Sequence, residues 1–202
     1  ALYQALSAGV PKENVFNFLE KAGQAAIGGV TDIKTSVDGL TSVVNAYGSE
    51  TMSVEEAADA MFTTVKLGKT TFEEISRSIA VATPIAKAAG VSFDDLSAMI
   101  AALTARGTPT SEAMTQIRSA ILALNTPTEK GLKVADKYGL SFKKMAEEVK
   151  KPGGVLRVFR ELREKTNGNV GEMKALLGRV EAVNAVMGLT EENGKLLANA
   201  IE

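Results

Sequence analysis

Apolar residues recur every three or four positions along most of this chain. Phe72, Ile75, Ile79, Ala82 and Ala86 form one such run, and Phe93, Leu96, Ile100 and Leu103 form the next. Ile117, Ile121 and Leu124 continue it, and Met173, Leu176, Val180, Val183 and Met187 make a last stripe. This spacing puts each set on one side of a helix. No segment alternates apolar and polar residues over a strand's length. The pattern predicts an all-α chain with helices near 11–27, 31–47, 53–67, 71–89, 92–106, 109–125, 127–138, 141–150, 153–166, 170–187 and 190–201. Short loops between them predict a multi-helix domain of antiparallel neighbours.

Residues with capping chemistry punctuate these runs. Ser53-Val54-Glu55-Glu56 and Thr71-Phe72-Glu73-Glu74 have the order of a capping box, and Ser92-Phe93-Asp94-Asp95 is close to it. In that arrangement the hydroxyl accepts from the third helical amide while the acid returns to the amide of the cap. Thr126-Pro127-Thr128-Glu129 places proline where a first helical residue needs no N–H, so Thr126 is the expected cap there. Thr108-Pro109 and Thr190-Glu191-Glu192 read as further starts. Gly48, Gly68, Gly90, Gly107 and Gly139 each follow an apolar run, where left-handed C-caps are expected. Gly68 to Phe72, Gly90 to Phe93 and Gly139 to Phe142 share a glycine, hydroxyl, phenylalanine order. Their uneven spacing favours reuse of one turn design over a true repeat.

Composition changes this picture at one place. Residues 1–128 hold 9 basic and 13 acidic side chains, a net of -4, whereas residues 129–181 hold 13 and 8, a net of +5. The shift falls near Pro127. It predicts an Ala/Ser/Thr-rich helical subdomain over 1–126 and a more charged one over 127–202, both within one segment. The 202 residues as a whole carry a net charge of -1, so no global attraction to nucleic acid or anionic membrane is expected. No apolar run is long enough to span a bilayer. The first residue is Ala1, with no initiator Met and no signal-peptide layout, which predicts a piece of a longer chain.

Candidate chemistry is sparse. The chain has no Cys and no His, which removes thiolate chemistry, the usual neutral-pH base and the commonest metal ligand. Glu55-Glu56, Glu73-Glu74 and Asp94-Asp95 sit in predicted first turns, where the helix dipole favours negative charge, so they read as caps rather than catalytic acids. Gly28-Gly29 and Gly153-Gly154 lack the setting of a phosphate loop and read as turns. The bases from Lys143 to Lys165 are interleaved with Glu147, Glu148, Glu161 and Glu164, the pattern of solvated helix faces. The seven Met residues are scattered and read as core filler. No catalytic, cofactor or metal residue is assigned, and neither a small-molecule substrate nor a specific nucleic acid is expected. Leu96 to Thr128 carries only three charges, Arg106, Glu112 and Arg118. That stretch is either a central buried helix pair or a surface for another subunit, and Leu96, Ile100, Leu103, Ile117 and Ile121 are its candidate interface residues.

Local phrases carry a resemblance. Ala1 to Val10 (ALYQALSAGV), Phe18-Leu19-Glu20-Lys21-Ala22, Gly29-Val30-Thr31-Asp32 and Asp38 to Gly48 (DGLTSVVNAYG) come first. Met61-Phe62, Val65 to Phe72 (VKLGKTTF), Gly90-Val91-Ser92-Phe93 and Leu103 to Gly107 (LTARG) follow, and Leu177 to Ala182 (LGRVEA) closes the series. In this order they resemble the core region of tail tape-measure proteins of bacteriophages and prophages. Lys143 to Thr166 departs most from that pattern, being more charged. The resemblance implies a structural role: several copies of a long helical protein set tail length while tail-tube subunits polymerise around them. It implies self-association, contacts with tail-tube and tail-assembly proteins, and a place in the virion tail after assembly in the host cytoplasm. It brings no catalytic residues to this region. A general helical adaptor and a cell-wall-active enzyme segment are the rival readings.

Overall fold

Three of the expected caps show how the helices begin. In the computed structural model, which describes residues 1–190, Ser53 and Thr71 each accept from the third helical amide. Glu56 and Glu74 reach back to the cap's own N–H, completing two capping boxes. Ser92 caps in the same way through its hydroxyl, accepting from the amide of Asp95 at 3.1 Å. Among the described residues there are thirteen α-helices, one 3-10 turn and no strand. They are α1 (Leu2–Ser7), α2 (Val15–Gly28), α3 (Ile33–Tyr47), α4 (Val54–Leu67), α5 (Phe72–Ser78), α6 (Thr83–Ala89), α7 (Phe93–Ala105), α8 (Thr110–Asn125), α9 (Glu129–Tyr138), α10 (Phe142–Glu148), α11 (Gly154–Lys165), α12 (Val170–Leu177) and α13 (Val180–Thr190), with the 3-10 turn over Ile79–Val81.

The expected Thr126 cap is corrected. Thr126 terminates α8, its hydroxyl donating to the Leu122 carbonyl at 2.8 Å. The cap of α9 is Thr128, which accepts from the amide of Gly131 at 3.0 Å. Pro127 therefore lies outside the helix, where the extended preference before and after it separates α8 from α9. At α8 itself Pro109 is the N-cap and supplies no side-chain hydrogen bond.

Two expected helices are each two. The run over 71–89 breaks into α5, the 3-10 turn and α6, although all five of its stripe residues are buried. Pro84 is the cause: it has no N–H for the Ala80 carbonyl, and its ring clashes with a continuous helix. The run over 170–187 breaks at Gly178, which adopts φ 78° and ends α12. Val180, counted in the stripe, is consequently half exposed at the start of α13. A short α1 precedes the expected first helix. The expected 190–201 helix lies outside the described residues, apart from Thr190, the last described residue of α13.

Among the expected C-cap glycines, Gly90 and Gly139 are left-handed, whereas Gly68 is extended at φ -100°. Gly68 serves close approach instead. A methyl group there would collide with the Thr104 hydroxyl and lie 3.0 Å from Ala101 Cα. The shared turn design is also visible: Phe72, Phe93 and Phe142 are each the first residue of a helix, each follows a hydroxyl cap, and each is buried.

α8 lies near the centre of the core. Ile117, Ala120 and Ile121 are fully buried, and α13 packs along it with Ala182, Val183, Ala185 and Val186. α5, α6, α7 and α10 also pack on α8. On the N-terminal side α3 is the hub, contacting α1, α2, α4, α5 and α6. Ser36 on α3 donates to the Ala22 carbonyl on α2, and buried Tyr47 donates to the Val91 carbonyl. The buried apolar cluster runs from Ala5 to Leu189. The change in composition near residue 127 therefore coincides with no break in packing.

Candidate interaction surfaces

The five residues singled out for an interface are interior. Leu96, Ile100, Leu103, Ile117 and Ile121 are at most 1% exposed, enclosed by the chain's own α4, α5, α6, α10 and α13. Of the two readings of the low-charge stretch, the buried helix pair is the one the structure adopts. Its scarcity of charge reflects two central helices covered on most sides, because uncompensated charge is costly in such a place. The interface reading of these five residues is corrected accordingly.

Two other surfaces are uncovered. The first is on α1, α2 and the turn after α2, where Tyr3, Phe16, Ile27 and Val30 are between 75% and 88% exposed. Phe16 and Ile27 are eleven residues apart, about 20° from alignment on a helix, and opposite the buried Val15, Phe18, Ala22 and Ala25. Val30 adopts φ 52°, a left-handed conformation that strains a β-branched side chain. Apolar residues off the core stripe of α2 were the available signal for this face, but the 3-4 pattern alone does not flag them.

The second surface is a groove of about 420 Å³ between α4 and α7. Gly68 closes on Ala101 and Thr104, so the C-terminal ends of both helices meet at one end of it. Glu56, Asp59 and Asp94, all near the N-terminal ends, rim the other. Ala60, Thr63, Thr64, Ser97, Ala98 and Ala101 also line it, and Leu67, 38% exposed, stands at the end where Gly68 closes on α7. Glu56 is held below the usual carboxylate range by hydrogen bonds from Ser53. Ser97 is 8% exposed, and its hydroxyl is not among the buried unpartnered side-chain oxygens, which among the described residues are those of Thr31 and Ser76.

Charge on the C-terminal half is organised differently. Lys150–Glu147, Lys151–Glu148 and Arg157–Glu148 pair within the chain, and Lys137 on α9 pairs with Glu172 on α12. These are exposed pairs, each of small net value. Asp95 is the buried exception. Its carboxylate accepts from the Gly153 amide at 2.9 Å and ties α7 to the turn before α11. Burial pushes its carboxyl above the usual range against the lowering effect of that hydrogen bond. No group of three or more Asp or Glu side chains is placed to hold a metal ion among the described residues. No described helix is long and apolar enough to cross a membrane.

Comparison with known proteins settles the family. Residues 1–178 match the model of phage-related minor tail proteins. The chain belongs to that family. It is also 30% identical, over its whole length, to a probable tape measure protein of Clostridium phage phiCD119. The chain spans 22% of that relative's length. No solved structure matches. The tape-measure resemblance of the local phrases thus agrees with both comparisons, and this all-helical body is a segment of the kind found in phage tails.

Proposed function

We propose that this chain is a scaffold segment of a tape-measure protein, acting in tail assembly and tail-length determination. The observation that carries this reading is the family match over residues 1–178, joined to a tape-measure relative that aligns with every residue of the chain. In this role the segment associates with further copies of itself and contacts tail-tube and tail-assembly proteins. It works within the host cytoplasm during assembly and within the virion tail afterwards, and catalyses no reaction.

The helical body bears on how such a segment contributes length. A single continuous helix of the same residue count would extend about 300 Å. Folded as described here, a domain of this size has a radius of gyration of roughly 17 Å, so it spans only a few tens of ångströms. An in-frame deletion of this segment, with tails measured by electron microscopy, tests the proposal. Tails shortened by roughly 300 Å indicate that the segment is drawn out during assembly; a few tens of ångströms indicate that it stays folded. Tails of unchanged length and normal yield would overturn the scaffold role.

A further inference from the structure

The turn between α11 and α12 holds a chemically labile pair of residues in a closed form. α11 ends in the two hydrogen bonds of a left-handed stop. The Asn167 amide donates to the Glu164 carbonyl at 3.1 Å, and the Gly168 amide donates to the Arg163 carbonyl at 2.8 Å. This closure needs a left-handed residue directly after the cap, Thr166. Asn167 supplies it at φ 49°, and Gly168 follows at φ 65°. Asparagine visits that conformation more readily than most residues with a side chain, and glycine takes it without strain. Asn167 followed by Gly168 is therefore a local solution to stopping α11.

The same pair can react with itself. The nitrogen after an asparagine attacks the side-chain carbonyl carbon, Cγ. A C–N bond forms, the side-chain nitrogen leaves as ammonia, and a five-membered imide remains. Water opens that ring. Attack at Cγ gives aspartate, and attack at the main-chain carbonyl gives isoaspartate, whose backbone runs through Cβ. Glycine is the most permissive residue to follow, because no side chain shields the nitrogen or limits its approach. Water is the one co-reactant, and nothing is oxidised or reduced. Asn167 is exposed, so water reaches it. The closed turn is what opposes the reaction. The attacking nitrogen must give up its proton, and that proton is bonded to the Arg163 carbonyl. Ring closure also rotates the backbone, and both hydrogen bonds resist that rotation.

We propose that Asn167 is a latent deamidation site, held unreactive while the α11–α12 turn is closed and released when the turn opens. Isoaspartate then prevents re-closure. Its backbone carries one more carbon between the two amides, so they no longer reach the Glu164 and Arg163 carbonyls together. An opening that lasts long enough to react becomes one-way. The effect extends to the packing beside it, since α11 lies against α13 and Arg163 donates to the Thr190 hydroxyl at 3.3 Å. The inference stands on the fold of this turn and is independent of the tail role.

Peptide-mapping mass spectrometry tests it by following conversion of the Asn167 side-chain amide to an acid. The chain is incubated in mildly alkaline buffer, with its helix content checked by circular dichroism, and in concentrated urea. Asn193–Gly194, the other such pair in the sequence, calibrates the urea rate. Asn167 is expected to react at least about tenfold more slowly in buffer than in urea, because a hydrogen-bonded turn reacts only through its opened fraction. Lys165→Gly, at the exposed last residue of α11, weakens the helix end and is expected to speed the buffer reaction about threefold, with no change in urea. Equal rates in buffer and urea, or a Lys165→Gly chain that reacts no faster than wild type, would overturn the protection. For the one-way step, an Asn193→Ala chain is converted at Asn167 in urea and refolded. It is expected to melt at a lower temperature than the same chain refolded before conversion; equal melting would overturn that step.

Discussion

Replacing Gly39 with alanine sets two effects of known sign against each other. Gly39 lies mid-helix in α3, where it faces α5, and φ there is in the ordinary helical range. By helix propensity alone, alanine stabilises such a position by about 1 kcal/mol. The tertiary structure opposes this. A methyl group on Gly39 would lie 2.6 Å from Ser76 Cβ and Oγ and 2.7 Å from Ser76 Cα. One of those atoms is backbone, so no rotamer change clears the space, and α3 and α5 must separate by roughly 1 Å to restore ordinary contact distances of about 3.5–4 Å. Overpacking of that kind costs about 1–3 kcal/mol, and here it also loosens α3, the hub of the N-terminal side. The clash outweighs the gain, leaving Gly39→Ala less stable by up to about 2 kcal/mol after the propensity term is subtracted. In a chain of this length that corresponds to a melting temperature lower by up to about 8 °C. Urea titrations of the wild type, Gly39→Ala and Gly39→Ala with Ser76→Gly measure it. The double variant is expected to recover part of the loss, because Ser76 Cβ is removed while its Cα remains. A Gly39→Ala chain more stable than wild type would refute the close-packing argument.

Three further outcomes are expected. Thr71→Ala and Thr128→Ala each remove an observed cap and are expected to cost about 0.5–2 kcal/mol in chemical melts, whereas Thr126→Ala, outside the N-terminus of α9, is expected to cost less than either; the reverse ranking would contradict the assigned start of α9. Asp95→Ala is expected to destabilise by about 1–3 kcal/mol by leaving the Gly153 amide unpaired, while Asp95→Asn keeps an acceptor and is near neutral. Because burial raises the folded-state pKa of Asp95, its unfavourable charged-form contribution is absent below the unfolded value of 3.8 and grows as pH rises through it, so the Asn variant should gain relative to wild type between acid and neutral pH; melts at both pH values giving the opposite trend would sink this. Val30→Gly is expected to raise stability by up to about 1 kcal/mol, since glycine takes φ 52° without strain and Val30 is almost wholly exposed; a thermal melt showing clear loss would mean that Val30 packs against something in solution.

What the chain determines by itself is local. The all-helical class follows from the 3-4 apolar spacing, and the starts of α4, α5 and α7 follow from Ser53, Thr71 and Ser92 with the acids placed three residues on. Those signals are strong because cap and capped amide lie within one turn, so no distant residue has to agree. Phrases from Ala1 to Ala182 also placed the chain among tape-measure proteins, since short motifs in a fixed order survive without any knowledge of packing. Tertiary structure decided the rest. Thr128 takes the cap from Thr126 because the actual entry of the chain into α9 depends on where α9 packs against α12. The 71–89 and 170–187 runs keep their apolar period across Pro84 and Gly178, so periodicity alone cannot report that the backbone breaks there. A low-charge stretch is written identically for a core and for an interface, because both exclude water. Only the arrangement of α4, α5, α6, α10 and α13 around α7 and α8 made Leu96, Ile100, Leu103, Ile117 and Ile121 a core. The acidic groove is likewise invisible along the chain: Asp59 and Asp94 stand 35 residues apart, and they share a rim only because Gly68 lets α4 close against α7.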